Sequence, residues 1–189
     1  MFSDLSTLSE AVKTILQKHA NASLPLTRSP EAQSNNDALM PLAVSATNLF
    51  PGARHPDAAL SGLFLLLNCW ERSHGISQDI PSREGSYWHG IAHRIEPDSS
   101  NAGYWFRKVG DHPIFPELHR QAQGIFDREK AISEGVPWQL KGQWDPFLFI
   151  DWCDEARAKP NSQEERLTLQ MQKAEWQLLF QWCAAPAPK

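Results

Sequence analysis

PDAALSGLFLLLNCWERSHGIS, residues 56–77, opens on a proline and an aspartate, turns almost wholly apolar, and ends in a polar, histidine-bearing segment. Pro56 suits the first position of a helix, where its missing N–H costs nothing, and His55 or Arg54 lies just outside. Between Ala58 and Leu67 no stripe is left for water, and a helix that is apolar all round is a buried one. Its most apolar part, Gly62 to Trp70, is too short to cross a bilayer and is followed at once by Glu71 and Arg72. The stretch therefore predicts one long buried helix from Pro56 to about Ser77, with the Leu63 to Leu67 segment at the centre of the domain.

Upstream, Thr7 and Glu10 have capping-box spacing, and Leu5, Leu8, Val12, Ile15 and Leu16 recur at helical intervals, which predicts an amphipathic helix through about Lys18. Residues 21–37 carry two prolines among polar residues and predict a flexible linker or surface loop. Downstream, three shorter helices are expected at Tyr87–Ile95, Asn101–Val109 and Pro116–Lys130, the first capped by Ser86 and the second by Ser99 or Ser100. Two more follow. Asp145 before Pro146 opens one, and Ser162 with Glu165 opens another whose Leu167, Met171, Ala174, Leu178 and Trp182 share a stripe. No segment alternates with period two and no repeat is present, so the fold class is all-α. The architecture predicted is an irregular helical bundle around the long buried helix, one domain spanning residues 1–189.

Composition narrows the function. A chain of 189 residues, 41% hydrophobic, supports one sizeable core. Its net charge of −4 and its scattered Lys and Arg lack the basic footprint of a nucleic-acid binder. The three cysteines, Cys69, Cys153 and Cys183, are odd in number and form no CxxC. The N-terminus lacks the basic-then-apolar order of a signal peptide. A cytoplasmic protein that meets neither nucleic acid nor membrane is expected, with a small molecule as its partner.

The chemistry is concentrated in SYWHGIAHRIEPDSSNAGYWFRKVGDHP, residues 86–113. His89 and His93, four apart, fall on one face of a helix, as two metal ligands would. Gly90 stands where a zincin helix carries glutamate, so that class is disfavoured. Glu71 and His74, three apart, resemble the carboxylate and imidazole half-motif of di-iron bundles, but only one copy is present, although Glu84 and Glu96 are at hand. What is left is a mononuclear site for a divalent metal ion built from Glu71, His74, His89 and His93, the same four serving as catalytic residues. A metal-free version pairs a histidine, His112 included, with Glu71, Glu96 or Asp111 for acid/base work.

Tyr87, Trp88, Arg94, Asn101, Trp105 and Arg107 are the candidate substrate-binding residues, by stacking and by charge-assisted hydrogen bonds. Asp98-Ser99-Ser100-Asn101 also reads as an anion site at a helix start, but Asp98 would repel an anion and these are ordinary capping residues, so capping is expected. There is no GxSxG, P-loop or GxGxxG, which disfavours covalent and nucleotide chemistry.

With the upstream CWERSH, the segment resembles a family of uncharacterised bacterial proteins carrying a YWH-x3-HR-x-E-x-D-x-SNA-x-YWFR-x-VG pattern across the middle third of the chain. The pattern is specific, but that family has no established activity, so the resemblance assigns no role to any residue. Two function classes stand: an enzyme or binding protein for a small polar molecule that works through the His/carboxylate cluster, and a non-enzymatic helical domain in which the cluster is a buried structural network.

Overall fold

Asn68 divides the apolar stretch into two helices. The computed structural model describes residues 7–28, 42, 44–130 and 142–187, and in it Leu67, Asn68 and Cys69 close one helix and open the next. Asn68 takes the left-handed conformation, φ 57, with its N–H on the Leu65 carbonyl at 2.9 Å and the Cys69 N–H on the Phe64 carbonyl at 2.8 Å. This is a Schellman closure, and asparagine is the residue that substitutes for glycine in it. The single long helix expected over residues 56–77 is thus corrected to two.

The helices, in chain order, are α1 Glu10–Lys18, α2 Ala46–Leu49, α3 Pro56–Leu66, α4 Trp70–Gln78, α5 Arg83–Ile95, α6 Ser99–Val109, α7 Phe115–Lys130, α8 Pro146–Arg157 and α9 Gln163–Ala184. The only β pairing among the described residues is an isolated bridge between Ala53 and Pro186, so the all-α class holds. Several starts move. Ser9, not Thr7, caps α1; Ser82, not Ser86, caps α5; and Asp98, not Ser99 or Ser100, caps α6. Asp145 and Ser162 cap α8 and α9 as expected.

The core centres on α3. Ala58 through Leu65 are all buried, and Gly62 lets two tryptophans reach the helix backbone. A β-carbon at Gly62 would sit 2.5 Å from the Trp88 ring, and the Gly62 carbonyl accepts from Trp176 Nε1 at 2.8 Å. α5 and α9 are thereby locked against α3. A second hydrophobic cluster joins α7, α8 and the first half of α9, so α9 runs through both. Of the segment expected to be a linker, residues 21–28 are held down: Leu24 and Leu26 are buried, and Gln172 donates to the Leu24 and Pro25 carbonyls at 3.0 Å each. The rest of that segment, residues 29–37, lies outside the described residues.

α5 is buried from Glu84 to Ile95, which is why so many of its polar groups are paired. Glu84 lies 3.4 Å from His55 Nε2 and 3.7 Å from His112 Nε2, and accepts from Trp182 Nε1 at 3.1 Å. Burial favours the neutral acid, but His112, Ser82 and Trp182 outweigh it and hold the carboxyl well below the usual carboxylate range. A carboxylate whose folded pKa is depressed contributes stability above its unfolded pKa of about 4.3, and loses that contribution as pH falls below it. The stability gap between the parent and Glu84→Gln is therefore expected to be full at pH 7 and to narrow at pH 3, measured by urea midpoints. A gap that does not change with pH contradicts this account of Glu84.

Candidate metal centre

α4 and α5 bring three imidazoles together. Trp70, one turn before His74, donates its indole N–H to the Ala92 carbonyl of α5 at 2.7 Å and stacks on the His74 ring at 4.5 Å between centroids. That anchor turns His74 toward α5. The i, i+4 spacing does the rest, placing His89 and His93 with ring centroids 4.7 Å apart and 4.3 and 5.0 Å from His74. One ligand atom from each of the three lies within 4.8 Å of the others. His89 and His93 are buried; His74 is partly open to solvent.

The outer nitrogens of His89 and His93 are hydrogen-bonded to side chains of α4 and of the segment that follows α5. The Ser77 hydroxyl donates to the His74 carbonyl at 3.1 Å, which leaves its oxygen to accept from His89 Nδ1 at 3.1 Å. Glu96 Oε2 accepts from His93 Nδ1 at 3.2 Å. The inner nitrogens, Nε2 of His89 and Nε2 of His93, face each other at 3.0 Å, a spacing that suits either a shared proton or a cation. Burial, with His74, His93 and Lys108 nearby, lowers His89 to about 3. Burial and His93 likewise lower His74. Both are neutral imidazoles at neutral pH, the form in which histidine ligates metals.

An outer layer braces this arrangement. Arg28, in the segment docked on α9, bonds Glu96 Oε1 at 3.4 Å, pairs with Glu71, and stacks on the Trp70 ring at 4.2 Å. Glu71 is thus brought to the rim, half exposed and bonded to Arg28, and is absent from the cluster of ligand atoms. Trp105 of α6 lies against His89, centroids 4.2 Å apart.

The remaining candidates divide by helix face. Tyr87, Trp88 and Arg94 are fully buried and point into the core: Tyr87 donates to Glu175 at 3.1 Å, Trp88 packs on Gly62, and Arg94 is paired with Glu175. They hold α5 in place and offer no surface to a solute. Asn101 is exposed, its amide on Asp98 at 3.0 Å, while Asp98 also accepts the Asn101 backbone N–H at 3.0 Å. The Asp98–Asn101 segment is a helix cap, as expected. Arg107 lines a separate cleft of about 790 Å³ between α6, α7 and α8 with Phe115, Trp144 and Phe147. His112 belongs to the Glu84 group, and Asp111 is exposed, its carbonyl accepting from Arg83 at 2.8 Å. Two residues that sequence reasoning missed are Ser77 and Arg28. Ser77 is three residues after His74, a spacing that was legible; Arg28 comes from a distant loop and left no local signal.

Comparison with protein-family models, with curated proteins and with solved structures finds no match to this chain.

Proposed function

We propose that this protein binds one divalent first-row metal ion, zinc by preference, through His74, His89 and His93, and that the ion keeps an open position for a small polar ligand. The observation that carries the reading is the convergence of one ligand nitrogen from each of the three histidines to within 4.8 Å of the others, with the Nε2 atoms of His89 and His93 3.0 Å apart. Two Zn–N bonds of about 2.0–2.1 Å at a tetrahedral angle separate the nitrogens by about 3.3 Å, close to that spacing. Three neutral imidazoles suit zinc and its neighbours, and three protein ligands with a vacant fourth position is the pattern of catalytic zinc sites. His74, on the open side, completes the triangle by a rotation of its ring. Ser77 and Glu96 supply the outer hydrogen bonds that metal-bound histidines ordinarily make.

A second reading has support of its own. If His93 carries a proton on each nitrogen, it donates to both Glu96 and His89, and the network closes without a metal. Equilibrium dialysis of untagged protein against zinc separates the two. The metal reading expects one equivalent bound, and its loss in His93→Ala; the network reading expects no uptake and a less stable His93→Ala. The three free, buried thiols, with Cys153 pushed by burial up to about 12, fit a reducing cytoplasmic setting and leave no cysteine nucleophile. No described helix is long and apolar enough to cross a membrane.

A further inference from the structure

The neutral donor set has a consequence for what the ion would take up. Three imidazoles contribute no charge, so a divalent ion among them keeps its full positive charge toward the open side. Two carboxylates stand at the rim, Glu71 and Glu96, and both are bonded to Arg28, whose single charge offsets one of them and leaves the ion's charge in excess. On the α6 side the charge is positive. Lys108 Nζ lies 4.3 Å from the centroid of Trp105 and 4.8 Å from that of Tyr104, its neighbours one turn back on the same helix face. Two cation–π contacts draw the exposed ammonium onto these rings. Trp105 in turn lies on His89, 4.2 Å between centroids, so the ammonium stands one ring away from a ligand.

We propose that the open position selects a small oxyanion, carboxylate or phosphate, with Lys108 as the specificity-determining residue and Tyr104 and Trp105 as its supports; this rests on the metal-binding reading above. Ammonium and metal would then share the anion, one oxygen on the ion and another accepting from Nζ, an arrangement that a neutral ligand gains nothing from.

Cobalt(II) provides the test, since its visible absorption reports both uptake and exchange of the open-site ligand. Untagged parent and Lys108→Gln are loaded with cobalt and titrated with acetate, with inorganic phosphate and with imidazole. Lys108→Gln is expected to take up cobalt within about threefold of the parent, to lose about tenfold in affinity for the preferred anion, and to bind imidazole unchanged. Lys108→Arg is expected to restore most of the anion affinity. The tighter of acetate and phosphate identifies which oxyanion the site prefers. Cobalt uptake with anion affinity indifferent to Lys108, or with neither anion perturbing the spectrum, overturns this inference and leaves the metal reading standing. Failure of the parent to take up cobalt overturns both.

Discussion

Glu175→Ala is expected to remove about 3–5 kcal/mol of stability, the largest loss of any single change considered for this protein. Glu175 and Arg94 are both wholly buried. The carboxylate also accepts from Tyr87 at 3.1 Å, while Arg94 reaches Gln172 at 3.3 Å and stacks on Phe149 at 4.5 Å. Through these contacts one ion pair ties α5 to α8, to α9 and, by way of Gln172, to the segment that carries Arg28. Removing the carboxylate leaves a guanidinium in the core with no counter-charge, and an arginine cannot escape by losing its proton. Against a total stability of about 5–15 kcal/mol, such a loss takes the protein close to unfolding. The double change Arg94→Met with Glu175→Leu removes both charges and keeps the volume but leaves the Tyr87 hydroxyl without its acceptor, and is expected to recover most, not all, of the single variant's loss. Urea denaturation of the three proteins decides it: a single variant losing less than about 1 kcal/mol would mean that the pair is not what holds α5 in register.

Glu96→Gln is expected to weaken zinc binding by about 10–100-fold with little change in fold, because it keeps the shape of the acceptor on His93 but removes the charge that makes that imidazole a stronger donor to metal. The partly exposed pair with Arg28 is worth no more than about 1 kcal/mol, so stability should hardly register the change. Glu71→Gln provides the contrast. Glu71 meets Arg28, not the ligand atoms, and its replacement is expected to leave zinc affinity within about threefold. Competition titrations against a chromophoric chelator measure both. Equal affinities for parent and Glu96→Gln would remove Glu96 from the site, and a large loss in Glu71→Gln would restore it as a ligand.

The pairing of His89 with His93 was legible, because four residues make one turn of any helix, and so was the burial of α3. The meeting of His74 with that pair was expected too, but not the route to it, which runs through the left-handed Asn68 that re-aims α4 after α3. An asparagine inside an apolar run was the available signal, and the uninterrupted hydrophobicity around it masked it. The crowding of aromatic and charged residues in the 86–113 stretch was read as one site. A helix turns about 100° per residue, however, so Tyr87, Ile91 and Arg94 fall on a face turned to the core while His89, His93 and Glu96 fall on another. Which face meets solvent is decided by Glu175 and Arg28, 81 positions after Arg94 and 68 positions before Glu96, and no local pattern carries that information.

X-ray absorption at the zinc edge, on untagged protein loaded with one equivalent of zinc, reads the three-histidine site most directly. A first shell of nitrogen or oxygen at about 2.0–2.1 Å is expected, with the outer-shell scattering of three imidazoles, falling to two in His74→Ala. Zinc that stays in the filtrate, or a bound ion whose imidazole scattering is the same in the parent and in a variant lacking all three histidines, would contradict it.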